Sequence, residues 1–100
     1  MAVEVWKGYS KEDVAVTDAG IEIIIPNGDR AFVCSVDNAG ASNLRAVLNT
    51  AFADKTTDQG VTIRGDKAYT FVSMTQNQRI YSVTLFCKSG ETTTANVSFS

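Results

Sequence analysis

The sequence predicts an all-β domain: a β-sandwich, jelly-roll-like, of about eight short strands. Three observations carry that reading. Apolar and polar residues alternate with period two through most of the chain. Turn dipeptides such as Asn27-Gly28 and Ser89-Gly90 interrupt the alternation at short intervals. Helical spacing is a serious competitor in one segment only, near 43–54.

The alternation is clearest at the end of the chain. In "TTTANVSFS", Thr93, Ala95, Val97 and Phe99 share one face, and Thr92, Thr94, Asn96 and Ser98 share the other. That is a strand with one dry face. In "IYSVTLFCK", Tyr81, Val83, Leu85 and Cys87 line up. The opposite face, Ile80, Ser82, Thr84 and Phe86, is also partly apolar, as near the centre of a sheet. "KAYTFVSM" puts Tyr69 and Phe71 on one side, "GVTIR" contributes Val61 and Ile63, and "RAFVCSV" aligns Phe32, Cys34 and Val36. At the start, "AVEVW" and "DVAV" are short strands separated by the polar "KGYSKE". "IEIIIPNGDRAFVCSV" reads as a hairpin turning on Asn27-Gly28, since both residues tolerate positive φ, with Pro26 ending one arm.

The segment "SVDNAGASNLRAVLN" admits two readings. Leu44, Val47, Leu48, Ala51 and Phe52 follow helical spacing, and Ser42 is a possible N-cap. Alternatively Leu44, Ala46 and Leu48 point inward from a strand, with Arg45 and Asn49 outward. The strand is preferred. "DNAGAS" has turn chemistry, Asn49-Thr50 is poor helix interior, and the neighbouring elements are all β. Residues 53–59 then form a surface loop, and a short helix near 43–54 is the main alternative.

Composition narrows the function classes. The 100 residues form one domain, 1–100, and 44% apolar content fills one core. Net charge is −2 with the nine basic residues dispersed, so no nucleic-acid stripe is expected. No apolar run is long enough to span a membrane, and the N-terminus lacks the pattern of a signal peptide, so synthesis in the cytosol is expected. The absence of histidine removes the usual general base and the commonest zinc ligand. Cys34 and Cys87 sit in apolar strands and read as buried thiols; a disulfide between sheets is the alternative. A true immunoglobulin domain is not expected. Leu85 stands where a Tyr would precede the second Cys, and Trp6 precedes both cysteines.

Motifs with possible chemistry are sparse. Arg64-Gly65-Asp66 is a tripeptide that can dock to integrins where it is exposed; a charged surface turn is the plainer reading. Asn96-Val97-Ser98 matches a glycosylation acceptor but falls inside a strand. Asp54 and Asp58 flank a loop without the spacing of a calcium site, and nothing orients Ser10-Lys11 as a nucleophile and base. No catalytic residue, cofactor or metal is expected, and the chain is not read as an enzyme. The candidate interface residues are Trp6, Tyr9, Asn27, Arg64 and Asp66: two aromatics near the N-terminus and the polar tips of loops. The last strand has an uncharged outer face, which fits either a central place in its own sheet or cover from a neighbouring subunit.

Three stretches also carry a family resemblance: "SVDNAGASNLRAVLN", "GVTIRGDKAYTF" and "RIYSVTLFCKSGETTTANVSFS". Their order of apolar strand, Asn- and Gly-containing turn, glycine-spaced segment ending in an aromatic, Ile-Tyr strand and Ser-Gly hairpin resembles small β-sandwich proteins of tailed-bacteriophage virions. The resemblance covers residues 20–100; Asn38-Ala39-Gly40 fits it approximately, and the "FADKTTDQG" loop is longer than the pattern. It implies a structural protein of the virion, a capsid decoration or cement protein, or else a neck or tail component. It further implies major capsid protein or other virion proteins as partners, a homo-oligomer such as a trimer, and a place on the capsid surface. A loop-based module that binds a receptor or glycan is the reading from a different class.

Overall fold

Eight strands arise where the alternation lies: β1 Tyr9–Val16, β2 Ile21–Ile24, β3 Val33–Asn38, β4 Leu44–Leu48, β5 Val61–Ile63, β6 Ala68–Val72, β7 Ser82–Phe86 and β8 Thr93–Phe99. They come from a computed structural model that describes residues 8–49, 60–73 and 79–100. Trp6, the strand expected within 2–6, Asp54, Asp58 and the loop over 53–59 fall outside the described residues.

The strands form two four-stranded antiparallel sheets, β1-β8-β3-β6 and β2-β7-β4-β5. The pairs β1·β8, β2·β7, β3·β6 and β4·β5 nest inside one another. The chain is thus one long double arm, with β4–β5 at its tip, rolled so that its strands alternate between layers. Pairs β3·β8 and β4·β7 close each sheet. This is the jelly-roll arrangement of a β-sandwich.

The segment whose helical spacing competed is β4 over Leu44–Leu48. Leu44 and Ala46 are buried and Leu48 half-buried, opposite Ile63, Leu85 and Val83 respectively, while Arg45 turns outward. Residues 50–54 of the alternative helix fall outside the described residues. In β8, Ala95, Val97 and Phe99 are at most 1% exposed, whereas Ser98 faces solvent. β8 lies between β1 and β3, which explains a polar outer face without guarding charges. β7, central in the other sheet, is buried on both faces.

Four expectations need correction. The hairpin over 21–36 does not form: β2 pairs with β7, and β3 pairs with β6 and β8. Asn27 (φ 62°) and Gly28 (φ 70°) do adopt the left-handed conformation, but within a 3-10 turn over Pro26–Gly28 that carries the chain from one layer to the other. Ile25 N–H donates to Tyr81 O, and Ala31 bridges Ile80, so the crossing is held by β7 and its approach. The Ser-Gly turn at 89–90 likewise joins strands of different sheets. Phe32 does not join Cys34 and Val36 in the core; it precedes β3, is 46% exposed, and lies under Arg79, whose guanidinium carbon is 3.8 Å from the ring centroid. Finally, β1 runs back to Tyr9 through residues expected to be a polar spacer, with a register shift between Lys11 and Val14.

Candidate functional site

One end of the sandwich is organised by Asn38, a fully buried amide at the end of β3. Its Nδ2 donates to Ser42 O (2.8 Å) and Ile63 O (3.0 Å). Its Oδ1 accepts from the Thr93 hydroxyl (2.7 Å) and Gly40 N–H (3.3 Å). Two donors and two acceptor positions are therefore all used, which is what a buried amide requires. The side chain ties the β3–β4 turn, the end of β5 and the start of β8 into one cap.

The Arg64-Gly65-Asp66 turn is docked onto this cap. Lys67 N–H closes a four-residue turn on Arg64 O (3.1 Å), and Asp66, at its third position, has φ 61°. Asp66 N–H donates to Gly40 O (3.0 Å) and Gly65 N–H to Asn43 Oδ1 (3.2 Å). A Cβ at Gly65 would overlap the Ala41 carbonyl, so glycine is required for the approach of the two loops. The tripeptide thus has a structural reason to be there, and the Arg64 and Asp66 side chains remain exposed.

The opposite end carries a second amide clip. Asn49 (φ 55°) receives Tyr81 N–H (2.8 Å) and Ser82 N–H (3.3 Å) on Oδ1 and donates from Nδ2 to Arg79 O (3.0 Å). The Tyr81 hydroxyl returns a bond to Asn49 O (2.8 Å), and Arg30 lies 4.7 Å from the Tyr81 ring centroid. Asn27 is exposed on the 3-10 turn. Tyr9 packs on its own core: its ring stacks on Phe99 at 6.2 Å between centroids with 22° between planes. Of the predicted interface residues, only Arg64 and Asp66 are brought together; Asn27 and Tyr9 sit on other elements, and Trp6 falls outside the described residues.

Sequence reasoning missed the surface that stands out most, the edge strand β6. Tyr69 is 43% and Val72 58% exposed, and Tyr69 meets Phe71 edge-on at 4.8 Å between centroids. The available signal was the pair Tyr69 and Phe71 itself, but nothing local in the sequence shows which strand ends a sheet. Elsewhere, a cleft of about 470 Å³ runs beside Arg45, Thr62, Phe86 and Lys88, where Arg45 Nη1 donates to Thr62 Oγ1 (2.9 Å). Among the described residues no three His, Cys, Asp or Glu side chains converge on a metal position, and no helix is long and apolar enough to cross a membrane.

Cys34 and Cys87 are buried free thiols. Burial pushes Cys34 up to about 12 from an ordinary 9.0. Cys87 is also raised, by burial first and then by the charges of Glu91 and Asp18, against a lowering hydrogen bond from the Thr93 backbone. Raised thiols are poor nucleophiles near neutral pH. A disulfide reagent should label both slowly in the native protein and at once in denaturant. The folded Cys34 keeps its proton where the unfolded thiol has lost it. Its contribution is therefore complete below about pH 9 and declines as pH rises toward 12, by about 1.4 kcal/mol per pH unit. Denaturation across pH 8–11 should show a shallower loss for Cys34→Ala than for the parent chain.

Comparison with protein-family models and with curated proteins finds no match.

Proposed function

We propose that this chain is a structural protein of a bacteriophage virion, of the capsid decoration or cement type, acting through the surfaces it presents and carrying out no reaction. The observation that supports the reading best is where the polar chemistry is spent. Asn38 and Asn49, the two amides with the most partners, are consumed in tying loops together. The outward surface includes, at β6, an uncharged strand edge with exposed aromatic and aliphatic side chains. Such a module adds buried area and strand pairing between neighbours, which resists expansion of a shell. The jelly roll recurs in viral coats, which adds support by analogy of fold alone. Assembly as an oligomer on major capsid protein belongs to this proposal.

The second reading, a loop-based receptor- or glycan-binding module, draws support from Arg64 and Asp66 exposed on a pinned turn. One experiment separates the two. Phage particles from the source culture are banded on a density gradient and probed with an antibody to the chain. The structural reading expects the chain to travel with particles, and the Asp66→Ala variant to be incorporated as well as the parent. A chain confined to the soluble fraction overturns it. Loss of cell attachment by Asp66→Ala in a chain absent from particles supports the second reading.

A further inference from the structure

The two sheets have four edges, and three of them are guarded. β1 carries Lys11, Glu12 and Asp13 and is broken by a register shift between Lys11 and Val14. β5 is three residues long, and β2 is four, with Glu22 inside it and Pro26 just beyond its end. β6, Ala68–Val72, has no charge, no proline and an unbroken register against β3 from Val33↔Val72 to Asp37↔Ala68. Short length, charge, proline and bulges are the devices that keep sheet edges from pairing, and β6 lacks the last three.

The hydrogen-bond parity of β6 is fixed. Asn38 N–H donates to Lys67 O and Ser73 N–H to Phe32 O, so the odd-numbered residues turn their backbone groups toward β3. Ala68, Thr70 and Val72 therefore direct N–H and C=O to the open edge. Among the described residues no strand takes them up.

We propose that the occupant of this edge is β6 of a second copy of the chain, paired antiparallel about a twofold axis at Thr70. The strand is self-complementary in that register. Thr70 lies opposite its twin, and Ala68 lies opposite Val72, so all three outward-facing residues form two-bond pairs. Tyr69 lies opposite Phe71 in the closer, non-hydrogen-bonded pairs, where aromatic side chains interact most strongly. Both rings are on the side of the buried Val36 and Cys34, so the pairing continues the hydrophobic layer across the junction. No like charges are opposed, since the five residues carry none. The result is one eight-stranded sheet running through two copies. This inference stands apart from the virion reading: particle fractionation tests the role, and the solution experiment below tests the edge.

Sedimentation velocity across a concentration series should show the parent chain in monomer–dimer equilibrium. Thr70→Lys gives up the exposed hydroxyl contact with Ser35 (3.1 Å), places like charges opposite each other on the twofold and should weaken the dimer about tenfold or more, with circular dichroism unchanged. Val72→Lys serves as an independent variant if Thr70→Lys fails to fold. A Thr70→Cys variant gives a positive readout. Paired residues of this type have Cα atoms about 5.5 Å apart, inside the range a disulfide spans. Mild oxidation should yield a covalent dimer, while Lys11→Cys on the guarded edge should not. A parent chain that stays monomeric at about 1 mM overturns the proposal, as does a dimer indifferent to both lysine variants.

Discussion

Asn38→Ala should destabilise the protein by about 3–4 kcal/mol, a large part of the stability of a domain this size. The substitution removes little volume and much bonding. It strands the Thr93 hydroxyl, itself buried, and takes the partner from the Ser42 and Ile63 carbonyls and from Gly40 N–H. Each polar group left buried without a partner costs about 1–3 kcal/mol, and partial relaxation of the surface loops lowers the sum. Asn38→Asp keeps the shape but is expected to be comparably harmful near neutral pH. A carboxylate has no hydrogen to give the two carbonyls and sets a negative charge against them. Urea denaturation checks both variants, and Asn38→Asp should recover part of its deficit in acid, where the protonated side chain can donate once. A loss under about 1 kcal/mol for both would show that the cap is held by something else.

Phe99→Ala should cost about 3–5 kcal/mol through a different mechanism. Phe99 is 1% exposed and heads the largest fully buried side chains. It sits opposite Tyr9 on β1 and Cys34 on β3, with the Tyr9 ring stacked on it. Truncation opens a cavity where three strands meet, and the neighbouring backbones, locked in two ladders, have little freedom to collapse into it. Phe99→Leu, which keeps most of the volume, should cost well under half as much, on the order of 1–1.5 kcal/mol. Thermal unfolding of the pair measures the contrast, and equal losses would point to the ring contact with Tyr9 and away from the cavity.

The strands were legible because burial imposes a period on the sequence. β8 shows it plainly, Ala95, Val97 and Phe99 dry and Ser98 wet. β4 was decided by context, and its inward residues were the ones that strand reading named. Pairing was far less legible. Asn27-Gly28 shows where the backbone takes positive φ, and it does, but a turn signal does not say whether the next strand lies alongside or across the core. The part played by Asn38 has a trace in the sequence: Cys34, Val36 and Asn38 share a period-two face, which puts a polar side chain on the dry side. In the sequence the tripeptide at 64–66 stands out by its charges, whereas the geometry rests on Gly65, where the loops touch. Tyr69 and Phe71 were read correctly as neighbours on one face, but their exposure depends on strand order, which is set by contacts distant in sequence.

That remoteness has a kinetic consequence. β8 inserts between β1 and β3, so the β1-β8-β3-β6 sheet has no continuous ladder until the last strand arrives. Tyr9 must wait for Phe99, nearly the whole described chain away. Folding that depends on such distant encounters is slow, on the millisecond-to-second scale. A growing chain on the ribosome can close the β4–β5 tip early, but β1 and β3 gain their shared neighbour only once residues 93–99 have emerged. Until that moment the bare flank of β3 is a place where two nascent chains could exchange strands.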